Sequence, residues 1–115
     1  LRDADAVRGC RPQPSLMGSL NVAVAGPELA PLPGEPQIEV RCFAPAAGVA
    51  EDPITGSYNA ILAQWLIPAG HMPSWYLAAQ GSALGRRGRI HVTQSDGDVW
   101  VGGETVTRIR GESIL

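Results

Sequence analysis

The chain has 115 residues, 44% hydrophobic and 17% charged, with a formal net charge of -2. That composition describes one globular domain and excludes a disordered segment, and so small a negative charge offers no attraction to nucleic acid or an anionic membrane. All nine cationic side chains are arginine, so the chain has no lysine for a Schiff base or a pyridoxal cofactor.

The opening stretch, Leu1 to Pro14, carries helix-compatible Ala4, Ala6 and Val7, then Pro12 and Pro14, which stop a helix. Ser19 to Ala25 alternates Leu20, Val22 and Val24 against smaller or polar neighbours and predicts a short strand. Gly26 to Pro36 holds Pro27, Pro31, Pro33, Gly34 and Pro36 and reads as a loop. Ile38 to Phe43 alternates again with apolar weight on both sides, predicting a largely buried strand. Ala44 to Thr55 reads as a turn-rich connector.

A helix is expected from about Thr55 to Ile67. Ile61, Leu62, Trp65 and Leu66 recur at helical spacing, Ala60 and Ala63 favour helix, and Pro68 and Gly70 end it. Nearly every position from Ala60 to Ile67 is apolar or small, so this helix is expected at the enclosed centre of the domain. Four short strands should follow: Trp75 to Ala79, Arg89 to Gln94, Val99 to Val101 and Thr105 to Ile109, several of them separated by glycine pairs or Asp96-Gly97. The pattern predicts an α+β domain in which an antiparallel-rich mixed sheet curls as a barrel around one central helix.

Cys10 and Cys42 are too few for a disulfide framework and lack the spacing of a zinc site; one bridge between them stays open, and two buried thiols of a cytoplasmic protein is the favoured reading. No run of 18 apolar residues appears, and no signal peptide is read near Leu1. His71 falls in a loop and His91 on a strand face, so neither is assigned a ligand role. Trp65, Trp75 and Trp100 fall on predicted regular elements and are assigned to core packing. Arg86, Arg87 and Arg89 read as a solvated edge.

The segment that carries chemistry is Glu51-Asp52-Pro53-Ile54-Thr55-Gly56-Ser57. A helix start leaves backbone N–H groups without partners and carries partial positive charge. Gly56 clears an approach to the N–H groups of Gly56, Ser57 and Tyr58, the Ser57 hydroxyl adds a donor, and Asp52 is placed to accept a hydrogen bond from a ligand. The alternative is structural: Asp52 caps the helix with Pro53 at its first position, the commoner arrangement. Composition does not separate the two. Ser57 lies in no nucleophile elbow and reads as no hydrolase nucleophile.

Arg41-Cys42-Phe43-Ala44-Pro45, Gly48 and Glu51 to Ser57 together resemble the signature of the C-terminal half of PhzF-like (phenazine-biosynthesis-like) isomerases, close to R-x-F-x-P-x-x-G-x-x-E-D-P-x-T-G-S. Gln80-Gly81, Gly85-Arg86, Gly88-Arg89-Ile90, Val99 to Gly103 and Arg110-Gly111 continue the likeness. The resemblance implies one half of a diaminopimelate epimerase-like, two-domain fold, with residues 1–115 as the C-terminal domain and the site in the cleft between halves. It implies a substrate contact for Asp52, and a substrate carboxylate at Gly56 and Ser57. It implies no metal and no organic cofactor. The family's acid–base glutamate and its G-H motif belong to the N-terminal half and have no counterpart here, and Glu51 does not replace that glutamate. Tyr58 stands where the family has a small residue, so the pocket mouth is expected to differ.

The function these residues imply is the substrate-binding half of a cofactor-independent isomerase or epimerase, moving a proton on a small carboxylate-bearing substrate. Its partner would be the missing N-terminal half or a second copy, and the isolated chain is expected to be inactive. The competing reading is a stand-alone, non-catalytic module for small-anion binding or dimerisation.

Overall fold

The structure is a computed structural model and describes residues 1–114. Two short helices, α1 (Ala4–Arg8) and α2 (Pro14–Met17), precede strands β1 (Val22–Pro27) and β2 (Ile38–Ala44). A 3-10 turn (Pro45–Ala47) leads to β3 (Val49–Asp52) and then to helix α3 (Gly56–Leu66). Strand β4 (Trp75–Gln80), a second 3-10 turn (Ser82–Leu84), β5 (Gly88–Ser95) and β6 (Asp98–Gly102) complete the order.

The six strands form one mixed sheet in the order β1-β2-β4-β5-β6, with β3 paired to β2 beside this path. Every pairing is antiparallel except β2 with β4, which run parallel with α3 in the connection between them. A parallel neighbour needs such a crossover, and that places α3 against the sheet. The core occupies this one face: Ile38, Val40 and Cys42, Tyr76 and Ala78, and Ile90 and Val92 are alternate residues of three strands, packed under Ala63 and Leu66.

The opposite face of β2 is buried as well. Glu39, Arg41 and Phe43 are 1%, 6% and 2% exposed, and α1 packs over β1 and β2 on that side with Ala4 and Val7 buried. Apolar weight on both sides of the strand was the sequence sign of this double cover. Helix α1 is capped as its residues suggest, Asp3 accepting from the Ala6 N–H at 2.7 Å.

Several expectations are corrected. The sheet is open at its ends and not closed as a barrel among the described residues. Helix α3 is correspondingly buried on one side only. Asn59, Ala63 and Leu66 face inward, whereas Ile61 and Trp65 are 59% and 62% exposed. An apolar outer stripe gave the segment the composition of an enclosed helix without the enclosure. The tryptophans assigned to the core are all more than half exposed. Trp75 and Trp100 sit opposite the same residue, Thr93, on the sheet face away from α3.

The first strand begins at Val22 and not at Ser19, and the connector holds β3, whose sequence Val-Ala-Glu-Asp shows no alternation of its own. Thr105 to Ile109 does alternate, yet forms no strand and is exposed throughout. His91 is an exposed sheet-face residue, and His71 is an exposed loop residue whose ring meets Trp65 edge-on at 6.1 Å. Both cysteines are free; Cys42 is buried and Cys10 half-buried.

Candidate functional site

The turn between β3 and α3 is built on a buried ion pair. Arg41 of β2 donates from Nε and Nη2 to the two carboxylate oxygens of Glu51 at 2.9 and 2.8 Å, with both side chains less than 10% exposed. Its Nη1 reaches the carbonyls of Val7, Arg8 and Cys10, at 3.2, 3.3 and 2.7 Å, and the guanidinium lies 5.0 Å from the Phe43 ring centre. Bidentate pairing with extra acceptors is the geometry that offsets the cost of burying both charges. Glu51 is thus committed to holding β3 against β2, which agrees with denying it the role of an acid–base group.

Asp52 follows directly, facing the other way along the strand. Its Oδ2 accepts the Thr55 hydroxyl at 2.7 Å and its Oδ1 accepts the Ile54 N–H at 3.3 Å. The N-cap of α3 is Thr55, which makes no side-chain cap bond, so the capping alternative for Asp52 is not what the fold uses. Asp52 stabilises the turn before the helix and leaves the helix start open. Among the described residues the N–H groups of Gly56, Ser57 and Tyr58 find no acceptor, and the first amide of α3 to do so is that of Asn59, on the Thr55 carbonyl at 3.2 Å.

Gly56 and Ser57 are exposed and Asp52 is half-buried. A Cβ at Gly56 would meet nothing nearer than Val101 Cγ2 at 3.9 Å. Glycine at that position is therefore not required by packing, and the space it leaves opens toward solvent. Gly88 is different: a Cβ there would stand 2.5 Å from the Gln80 carbonyl and 2.9 Å from Ile54 Cγ1, so β5 and the turn touch backbone to side chain. Gly56 and Ile54 also border a groove of about 790 Å³ that continues past Arg87, Arg89 and His91 to Gly103. Asp52 and Ser57 do not line it.

Gln80 entered the sequence reading only through the family likeness, with no role assigned. It is fully buried at the end of β4, donates from Nε2 to the Asp52 carbonyl and the Thr55 hydroxyl oxygen at 2.9 Å each, and accepts at Oε1 from the Thr55 N–H at 3.1 Å and Asn59 Nδ2 at 3.0 Å. Asn59 Nδ2 also donates to the Thr55 carbonyl at 2.9 Å. Four bonds from one amide hold the turn to the sheet. A polar residue ending an otherwise apolar strand, just before Gly81, was the available signal. Cys42, paired across from Asp52 in the sheet, has its thiol pushed above the usual range by burial and offers no thiolate to the site. No three His, Cys, Asp or Glu side chains gather as metal ligands among the described residues, and none of the described helices is long and apolar enough to cross a membrane.

With this geometry in place, comparison with known proteins decides the relationship. The family profile described as "Phenazine biosynthesis-like protein" matches residues 1–113. The chain belongs to the PhzF family. It is similar to the uncharacterized isomerase YddE of Escherichia coli, 39% identical over 66 residues that make up 53% of this chain and 22% of that protein. An uncharacterized isomerase of Clostridium acetobutylicum is 34% identical over 90 residues, 68% of this chain and 29% of that one. The chain thus spans less than a third of the curated relatives it matches. Two PhzF-family crystal structures share its fold. That of Enterococcus faecalis superposes with a TM-score of 0.65 at 21% identity, over 90% of this chain and 40% of that one. That of Bacillus anthracis gives 0.63 at 17%, over 88% and 38%.

Proposed function

We propose that this PhzF-family chain is the substrate-binding half of a cofactor-independent isomerase or epimerase, one that moves a proton on a small carboxylate-bearing substrate. The observation that carries the reading is the open start of α3: three N–H groups without acceptors, at a glycine that packing does not demand. Backbone donors and the helix dipole favour a carboxylate there, by about 0.3–1 kcal/mol at an exposed end, so affinity for a simple carboxylate should be weak. Asp52, three residues upstream of Thr55 and anchored by it, is the substrate contact. Gly56 and Ser57 meet the carboxylate. The relatives in Escherichia coli and Clostridium acetobutylicum, isomerases both, support the reaction class.

Proton transfer between carbons needs a positioned acid–base group, worth about 10²–10⁴-fold, and exclusion of water. In this reading an N-terminal half outside residues 1–115 supplies that group and closes the cleft. The apolar outer stripe of α3 and the exposed Val106 and Ile109, 71% and 91% accessible, support a partner surface for that half or for a second copy of the chain.

Amide-resolved NMR titration with acetate tests the site. Shifts confined to Gly56, Ser57 and Tyr58 are expected as acetate rises to about 0.1–0.5 M, the range that so small a stabilisation implies. Gly56→Val should abolish them with little change in the unfolding midpoint, because the space beside Val101 accepts the added carbons. Acetate binding elsewhere, or undiminished in Gly56→Val, would remove the basis of the proposal. Solvent-deuterium incorporation catalysed by this chain alone and surviving Asp52→Ala would misplace the chemistry altogether.

A further inference from the structure

We infer that Gln80 is a positioning residue that turns the single Thr55 hydroxyl proton toward Asp52, so that the carboxylate is held in place with its remaining lone pairs free to accept from a ligand. The inference rests on Asp52 being the substrate contact; the hydrogen-bond direction itself follows from the structure alone.

The direction is forced by groups that have no choice. The Thr55 N–H can only donate, so the Gln80 atom 3.1 Å from it must be the carbonyl oxygen. The Asp52 carbonyl can only accept, so the Gln80 atom 2.9 Å from it must be the amide nitrogen. Asn59 is oriented in the same way by the Thr55 carbonyl, 2.9 Å from Nδ2. Turning Asn59 over would set its oxygen against the Thr55 carbonyl and Gln80 Oε1, both acceptors. The fold instead leaves Asn59 Oδ1 buried without a partner, a cost it bears in preference to a reversed chain of bonds.

With Gln80 so oriented, its second amide proton points to Thr55 Oγ1 at 2.9 Å. The threonine hydroxyl is then an acceptor toward Gln80 and has one proton left, which it gives to Asp52 Oδ2 at 2.7 Å. Asp52 therefore receives bonds at both oxygens, from Thr55 and from Ile54, and its remaining lone pairs can only accept. A ligand group that sits against it must be a hydroxyl or an amine, while the ligand's carboxylate lies at the helix start. Sequence alone could not order this relay, because Gln80 stands 25 residues from Thr55 and is brought to it by the sheet.

NMR of the full chain provides the test. The Thr55 hydroxyl proton should exchange slowly with water and show a through-hydrogen-bond coupling to the Asp52 carboxylate carbon. Gln80→Glu, an acceptor at both positions, should turn the hydroxyl toward residue 80 and abolish that coupling, and Thr55→Ser should keep it. A buried carboxylate is itself costly, so Gln80→Met serves as the second variant; it removes the donor at similar length and should release the hydroxyl proton to fast exchange. Absence of the coupling in the native chain, or its survival in Gln80→Met, overturns the inference. Titration with acetate and glycolate then separates the two levels. Thr55→Val is expected to weaken glycolate about fivefold, the worth of one hydrogen bond, while leaving acetate unchanged, and Thr55→Ser to restore it. Failure of acetate to bind the native chain would sink the anion-site reading and leave the coupling to judge Gln80. Equal loss of both ligands in Thr55→Val would reduce Gln80 and Thr55 to structural roles.

Discussion

Arg41→Met is expected to destabilise the domain by about 3–5 kcal/mol, the cost of removing one partner from a buried ion pair. The substitution leaves Glu51 as an unpaired carboxylate in a site where its side chain is 9% exposed. It also strips the carbonyls of Val7, Arg8 and Cys10 of their shared donor. A loss of that size is a large share of the roughly 5–15 kcal/mol that holds a domain folded. Urea unfolding followed by circular dichroism provides the measurement, read as a fall in midpoint at constant slope. Pairing the substitution with Glu51→Leu should recover part of the loss, since the stranded charge is gone. Recovery should stay incomplete because the three carbonyls remain without the guanidinium. Full recovery would mean that the bonds to the segment after α1 contribute nothing, and an effect under about 1 kcal/mol would place the pair in the class of exposed ion pairs.

Above pH 10 the domain should lose stability, by about 2–3 kcal/mol in all, through Tyr76. This side chain is 1% exposed in the core, and burial pushes its pKa up from the ordinary 10.0 to about 12. Each unit of difference between folded and unfolded states is worth about 1.4 kcal/mol. Since the folded form holds its proton longer, its stabilising share is fully present below pH 10. It falls as pH rises from 10 toward 12, where the unfolded chain binds fewer protons than the folded one. Burial raises the Cys42 thiol as well, so its contribution has the same sign and begins nearer pH 9. Urea midpoints between pH 8 and 12 for the native chain, Tyr76→Phe and Tyr76→Phe/Cys42→Ala separate the two. The single variant should lose the fall between 10 and 12. An unchanged fall in Tyr76→Phe would assign the alkaline transition to some other group.

Where periodicity was strong, sequence reasoning placed elements to within a residue or two. Helix α3 was expected from about Thr55 to Ile67 and spans Gly56–Leu66, and β2 was expected over Ile38 to Phe43 and spans Ile38–Ala44. It failed where pairing overrides pattern. Strand β3 has no alternation, yet is drawn into the sheet by Cys42 opposite Asp52 and by the Arg41–Glu51 pair. The converse case is Thr105 to Ile109, which has the alternation of a strand yet pairs with none among the described residues. A strand is a cooperative property of two segments, and only one of them is written in the segment itself.

The same division runs through the candidate site. Asp52, Gly56 and Ser57 lie within six residues of one another, and their spacing alone carried the expectation of a turn, a glycine gap and a helix start with free amides. Those features depend on local backbone geometry, which neighbours along the chain dictate. The sequence by itself therefore determined where α3 begins and the apolar weight on both sides of β2, while the uncapped start and the one-sided burial of α3 came from the fold. What only the tertiary structure decided is which charges and amides sit beneath that turn. Arg41 reaches Glu51 from ten residues away across the antiparallel β2–β3 pairing, and Gln80 reaches Thr55 from 25 because β4 lies parallel beside β2. The openness of the sheet and the exposure of Trp65, Trp75 and Trp100 belong to the same category. An apolar side chain records that a surface can be covered; whether it is covered depends on what the rest of the chain brings to it.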